Sequence, residues 1–182
     1  MRAFVALDLP EPLITAVARL QAGLDVGRRV PEENLHLTLA FLGEMSERLA
    51  GEVAEAMMSL SAPAVEITLT GLDVMGGAEP TLVCATVEPV PGLVTLQEKV
   101  MRLCRVAGVD LERRRFRPHV TLARFARTLN AKDDRDLRDY LKLNGRYRSE
   151  THLATRVTLY ESHLAKDGPI YDPLSDIYLR QP

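Results

Sequence analysis

The feature that most constrains the fold of this chain is an order of apolar runs that occurs twice. In each half, apolar residues recur at helical spacing, then alternate as in a strand, then recur at helical spacing again, and finally form two strand-like runs. The strand between the helices is "LHLTLAF" in the first half and "HVTLARF" in the second. We interpret this order as an internal duplication, with one His-x-Thr strand near 35–41 and another near 118–124.

The remaining elements follow from turn and cap signals. A leading strand is predicted over residues 2–9, and helices are predicted from Pro12, after the cap Ser46, from Leu93 and around Leu137. The last two strands of the first half are "VEITLTGLDV" and "TLVCATV", with the turn "MGGAEP" between them. Those of the second half are "TRVTLYESHL" and "IYDPLSDIYL", with the turn "AKDGP".

Short strands interleaved with amphipathic helices predict an α+β fold with a mostly antiparallel sheet. The 182 residues suit one domain over 1–182, and no linker rich in Ser, Gly or Pro divides them. A pseudo-twofold arrangement of two lobes would bring the two histidine strands face to face.

Composition narrows the class of protein. With 46% apolar and 26% charged residues, the chain has the balance of a soluble globular protein, and no apolar run is long enough to cross a bilayer. Asp8 and the prolines after it interrupt the first apolar run, which we therefore interpret as a strand rather than a signal peptide. Cys84 and Cys104 lack metal-ligand spacing, so free thiols in a reducing cytoplasm are expected, with a single disulfide as the alternative.

Positive charge is concentrated near the second motif. The formal net charge of −2 argues against a protein coated in positive charge for long nucleic acid. However, "RRRFR", Arg113 to Arg117, directly precedes His119, and Arg124 and Arg127 follow it. These arginines either focus positive potential on one site or form a solvated loop.

The two motifs place polar side chains on one face of each strand. Because side chains alternate along a strand, His36 and Thr38 point one way and the neighbouring leucines point the other; His119 and Thr121 repeat this. Packing explains a single such pair, but it is a poor explanation for the same pair in both halves. Two imidazoles across a cleft supply a general base and a general acid, and two hydroxyls can bind the oxygens of a phosphodiester.

Two other chemistries fit the sequence less well. A catalytic metal would need further ligands at a spacing such as HExxH, and neither motif has them. A serine hydrolase would need a G-x-S-x-G elbow, which is absent, and Ser162 beside Glu161 and His163 is too local for a triad. We interpret His152 and His163 as structural or surface residues.

The stretches "HLTLAFLG" and "HVTLARF" resemble the paired motifs of the 2H phosphoesterase superfamily. The opening "MRAFVALDLPEPL", "FRPHVTLAR" and the closing "VTLYESHLAKDGPIYDPL" are similar to its RNA 2′,3′-cyclic phosphodiesterase branch, also called the 2′-5′ RNA ligase family. The resemblance implies a bilobal α+β fold with a central cleft and metal-independent hydrolysis of a 2′,3′-cyclic phosphate to a 2′-phosphate.

The resemblance also implies roles for individual residues. His119 would be the general base that activates water, and His36 would be the general acid that protonates the leaving 3′-oxygen, although near-symmetry allows the exchange of the two labels. Thr38 and Thr121 would hold phosphate oxygens. Arg124 would contact phosphate and Phe41 would stack on the terminal base, but strand parity requires a bulge or a strand end to turn both onto the His face.

We therefore expect an enzyme without a cofactor or metal that acts as a cytoplasmic monomer on RNA ends or 2′,3′-cyclic nucleotides. Reversal of the same chemistry would give 2′-5′ RNA ligase activity. The alternative is a non-catalytic module that binds RNA ends or assists tRNA processing, which the arginine cluster motivates.

Overall fold

The fold is built on a mostly antiparallel sheet that runs through both halves of the chain. The computed structural model describes residues 1–112, 115–126, 128–165 and 168–181. The strands are β1 (Arg2–Asp8), β2 (Arg28–Arg29), β3 (His36–Glu44), β4 (Val65–Ile67), β5 (Leu69–Met75), β6 (Leu82–Val87), β7 (His119–Arg124), β8 (His152–Ala154), β9 (Arg156–Ala165) and β10 (Gly168–Tyr178). Within these ranges, eight strands form one open sheet in the order β10-β9-β1-β3-β7-β6-β5, with β2 paired to β7.

Helices lie in the positions that the apolar spacing predicts. They are α1 (Glu11–Ala22), α2 (Glu47–Met57), α3 (Pro91–Val106) and α4 (Ala131–Asn144), and a single 3₁₀ turn covers Glu32–Asn34. The Ser46 side chain caps α2 by accepting a hydrogen bond from the backbone N–H of Leu49 at 3.2 Å. The predicted α+β class and the predominantly antiparallel sheet are confirmed.

Strands β3 and β7 join the two parts of the sheet. They pair antiparallel through Leu37 and Val120, whose side chains are fully buried. Each of these residues is the one between the His and the Thr of its motif. On the outer sides, β3 pairs with β1 and β7 pairs with β6, so similar surroundings flank both motif strands.

One predicted strand is wrong in detail. The run "VEITLTGLDV" is not a single strand but two, because β4 pairs with β8 in a separate two-stranded sheet whereas β5 pairs with β6. The break falls at Thr68, a buried residue whose hydroxyl forms a 2.7 Å hydrogen bond with that of Thr151. The alternation of apolar residues continues through Thr68, so periodicity gave no sign of the break.

Candidate active site

The structure brings the four motif residues together on one face of the sheet. Counting outward from the antiparallel pair of Leu37 and Val120 places His36 across from Thr121 and Thr38 across from His119. These four side chains are half-buried. Between them, Leu37, Leu39, Val120 and Leu122 point into the core and are at most 3% exposed.

Both imidazoles are held in the same way by a backbone carbonyl two residues earlier. The Nδ1 of His36 donates to the carbonyl oxygen of Asn34, and the Nδ1 of His119 donates to that of Arg117, each at 2.7 Å. A carbonyl can only accept, so Nδ1 carries the proton and Nε2 is the reactive nitrogen of each neutral ring. The Nε2 of His36 lies 3.1 Å from the Thr38 hydroxyl, which donates to the neutral ring.

Burial and neighbouring charges keep both imidazoles neutral near pH 7. The pKa of His36 is lowered to about 4, and burial is the largest cause. The charges of Arg124 and His119 also lower this pKa. The hydrogen bond to the Asn34 carbonyl and the charge of Asp8 raise it, each by less than burial lowers it. The pKa of His119 is also lowered. Burial is the largest cause, and the charges of Arg124 and Arg117 add to it, whereas the hydrogen bond to the Arg117 carbonyl raises this pKa.

Asp8 is the carboxylate beside His36. It lies opposite His36 in the register of β1 and β3. Its oxygens accept hydrogen bonds from the Tyr160 hydroxyl at 2.9 Å and from the Arg156 guanidinium, and the buried Thr158 hydroxyl lies 2.9 Å away. These contacts fix the position of the carboxylate, so its charge acts on His36 from a fixed distance.

Two bulges explain where Phe41 and Arg124 lie. In β3, Ala40 pairs with Val5 and Thr38 pairs with Ala6, which leaves Leu39 as an extra residue. The bulge inverts the later alternation: Ala40 is buried, and Phe41, 67% exposed, emerges on the His36 face.

The second motif strand has its bulge at the matching position. Ala123 pairs with Val83 and Thr121 pairs with Cys84, which leaves Leu122 unmatched. Arg124 therefore emerges on the His119 face, and its charge acts on both imidazoles. The parity problem that the sequence posed for Phe41 and Arg124 is resolved by one bulge in each strand.

A cleft opens beside the motif residues. It is lined by Arg28, Arg29, Val30, Pro31, Asn34, His36, Thr121, Arg124, Gly168, Pro169 and Tyr171. Phe41 lies outside this lining, on the same face of the sheet.

Sequence reasoning missed two residues that support His36. The ring of Tyr171 meets that of His36 edge to face, with centroids 5.4 Å apart. The side chain of Asn34 donates to the Pro169 carbonyl at 2.7 Å, so it ties β10 to the turn whose carbonyl holds His36. The signal for Asn34 was its place two residues before His36, where Arg117 stands relative to His119.

Comparison with known families identifies this arrangement. The profile of the 2′-5′ RNA ligase superfamily matches residues 9–165, which include both motif strands. The chain belongs to this superfamily. One curated relative is the RNA 2′,3′-cyclic phosphodiesterase of Aeropyrum pernix. It is 33% identical to this chain over 154 residues, which cover 82% of this chain and 85% of that protein. The enzyme of the same name from Escherichia coli is 29% identical over 190 residues, covering 99% and 97%.

Solved structures agree with this assignment. Escherichia coli LigT complexed with 3′-AMP is 27% identical, covers 98% of this chain and 97% of its own, and has a TM-score of 0.75. The protein TT0787 of Thermus thermophilus has a TM-score of 0.78 at 24% identity, covers 100% of this chain and 99% of its own, and shows the fold alone. This member of the 2′-5′ RNA ligase superfamily therefore shares the whole architecture of its relatives.

The sequence also singled out the arginines around His119 and the two cysteines. Arg113, Arg114 and Arg127 lie outside the described residues, whereas Arg117 pairs with Asp73 at 2.7 Å. Cys84 and Cys104 are buried free thiols, and burial raises their pKa to about 12 and 11.

Over the described ranges, His, Cys, Asp and Glu side chains form no group of three suited to a metal ion. None of the helices in the same ranges has the length and apolarity to cross a membrane.

Proposed function

We propose that this protein is an RNA 2′,3′-cyclic phosphodiesterase that hydrolyses 2′,3′-cyclic phosphate ends to 2′-phosphates. The observation that carries the proposal is the pairing of the two His-x-Thr strands, which sets two imidazoles with unprotonated Nε2 atoms and two hydroxyls on one face beside a cleft. The relatives named RNA 2′,3′-cyclic phosphodiesterase give the substrate class.

In the proposed reaction, Nε2 of His119 takes a proton from water as the water oxygen forms a bond to phosphorus. The bond from phosphorus to the 3′-oxygen breaks, and the protonated Nε2 of His36 gives its proton to that oxygen. The product carries a 2′-phosphomonoester and a free 3′-hydroxyl. Thr38, Thr121 and Arg124 stabilise the negative charge on the phosphate oxygens.

The two rings differ in one nearby negative charge, that of Asp8, which raises the pKa of His36. Burial and Arg124 lower this pKa more strongly, so the His36 ring is neutral before substrate binds. Arg124 and Arg117 lower the pKa of His119 and so favour the neutral ring that a general base requires. A bound phosphate anion adjacent to Arg124 would offset the charge of this guanidinium and supply negative charge of its own, so substrate binding would help to protonate His36.

The proposed chemistry needs no metal, because the histidines move the protons and the hydroxyls and Arg124 meet the phosphate. If the 5′-hydroxyl of a second RNA took the place of water, its oxygen would bond to phosphorus as the bond to the 3′-oxygen breaks, which would give a 2′-5′ linkage. We also propose that the protein acts as a cytoplasmic monomer. Two buried free thiols are in keeping with a reducing compartment.

The test is hydrolysis of adenosine 2′,3′-cyclic phosphate and of short RNAs with cyclic ends in EDTA, with product analysis. We expect a 2′-phosphate product alone, and a loss of about 10²–10⁴-fold in kcat for His36→Ala and for His119→Ala. The matched control is His163→Ala, because His163 lies on the β9–β10 hairpin beside Glu161 and Asp172.

Each outcome separates the candidate functions. Loss of activity in EDTA would overturn the metal-free mechanism. If the wild type binds RNA ends without turnover, and His36→Ala and His119→Ala retain the biological role, the protein is a module that binds RNA ends or assists tRNA processing.

A further inference from the structure

Arg28 and Arg124 form a pair of like charges at the cleft. They are direct cross-strand partners in the pairing of β2 with β7. Cross-strand partners project from the same face of a sheet, so Arg28 shares the face of Arg124 and His119. Both guanidiniums stay charged at neutral pH, and like charges directly opposite each other destabilise a sheet.

The described residues contain no carboxylate paired with either Arg28 or Arg124. The adjacent Arg29 differs sharply, because its Nε and one terminal nitrogen donate to the Leu24 carbonyl at 3.1 and 2.8 Å, beyond the end of α1. Arg29 therefore has a structural explanation in the fold, whereas no carboxylate among the described residues offsets the cost of placing Arg28 beside Arg124.

Arg28 lines the cleft together with Tyr171 and His36. Burial raises the pKa of Tyr171, and the charges of Arg124 and Arg28 oppose this rise. The charge of Arg124 also lowers the pKa of both histidines. The guanidinium of Arg28 lies against Gly168: a Cβ at this position, where φ is +127°, would be 3.2 Å from Cζ of Arg28. The hairpin thus approaches Arg28 closely at a residue without a side chain.

We propose that Arg28 binds a second phosphate group of the substrate, the phosphodiester that links the terminal nucleotide to the rest of the RNA, while Arg124 contacts the reacting phosphate. A second anion next to the two guanidiniums removes the repulsion between them. The inference rests on the proposed function and deepens it, because a cyclic mononucleotide lacks this second phosphate. The enzyme would therefore prefer RNA ends to cyclic mononucleotides.

The test compares Arg28→Gln with the wild type on three substrates in EDTA. They are adenosine 2′,3′-cyclic phosphate, the dinucleotide ApA with a 2′,3′-cyclic phosphate end, and the same dinucleotide with a neutral methylphosphonate linkage. A charge-assisted hydrogen bond of ordinary strength predicts a loss of about tenfold or more in kcat/KM on the charged dinucleotide, mainly through KM. The other two substrates should give ratios of wild type to variant within about twofold.

The matched control is Arg48→Gln, which removes the same charge from the exposed first turn of α2. Turnover of the mononucleotide reports whether Arg28→Gln is folded. Equal losses on all three substrates, or no loss on any, would overturn the inference. If the wild type hydrolyses none of the three substrates, the proposed function fails. Calorimetric titration with the charged dinucleotide then tests the inference by itself. Weaker binding by Arg28→Gln supports the inference, and equal binding overturns it.

Discussion

Leu37 and Val120 face each other across the junction of β3 and β7, and each is the residue between the His and the Thr of its motif. When equivalent residues of two repeats pair in an antiparallel ladder, a local twofold axis passes between them. Thr38 then lies beside His119, and Thr121 lies beside His36. We infer that an internal duplication produced this geometry, which gives one cleft two imidazoles from distant parts of the chain.

The acid and base roles can be separated with a leaving group that needs no proton. In a cyclic substrate whose 3′-oxygen is replaced by sulfur, the departing thiolate is stable without protonation, because thiols are far more acidic than alcohols. We expect this substrate to restore much of the kcat lost in His36→Ala, but little of that lost in His119→Ala. Single-turnover rates measure the effect, and rescue of His119→Ala alone would exchange the two roles.

Stability should fall at acidic pH because of His36. Its pKa is about 4 in the folded protein and near 6.5 in an unfolded chain, so between these values the unfolded state binds the proton and the folded state does not. The free energy of unfolding should therefore decrease as pH falls from about 6.5 to 4, by at most about 3 kcal/mol from this residue.

Urea unfolding from pH 4 to 7 measures this dependence. His36→Gln should flatten the slope, because the variant has no ring to protonate. An unchanged slope in His36→Gln would contradict the assignment.

Asn34 should affect turnover more than substrate binding. Its side chain holds the Pro169 carbonyl, and its own carbonyl holds Nδ1 of His36, so Asn34→Ala loosens the turn that orients the imidazole. We expect kcat to fall by about tenfold, as for a misplaced catalytic group, with KM within about twofold. In the control, Asn144→Ala removes a similar amide-to-carbonyl bond at the end of α4 and should leave kcat unchanged.

Phe41 should affect substrate binding and leave stability unchanged. Its ring is 67% exposed, so Phe41→Ala removes little buried area, and the melting temperature should stay within a few degrees. Loss of a stacked base predicts an increase in KM of about fivefold or more for substrates with a purine end. The control is Met58→Ala, because the Met58 side chain is 78% exposed. An equal KM in both variants would mean that Phe41 does not contact the substrate.

Local patterns in the sequence were sufficient for most of the fold. Apolar periodicity located the four helices and the two motif strands, because a helix or strand that buries one face must repeat its apolar residues with its own period. It failed at Thr68, where a strand changes partner without any change in alternation. It also failed at the bulges, which shift side chains from one face to the other at residues of ordinary apolar type.

The sequence by itself determined the elements, the two His-x-Thr faces and the resemblance that pointed to phosphodiester chemistry. Only the tertiary structure decided that β3 pairs with β7, that Asp8 lies across from His36, and that Arg28 lies across from Arg124. The reason is that a strand's period specifies which side chains share its face, whereas the neighbours of that face depend on pairings between residues far apart in the chain. The charges of Asp8 and Arg124, which shift the pKa of His36, come from such distant neighbours, so they act on this ring only once the sheet is assembled.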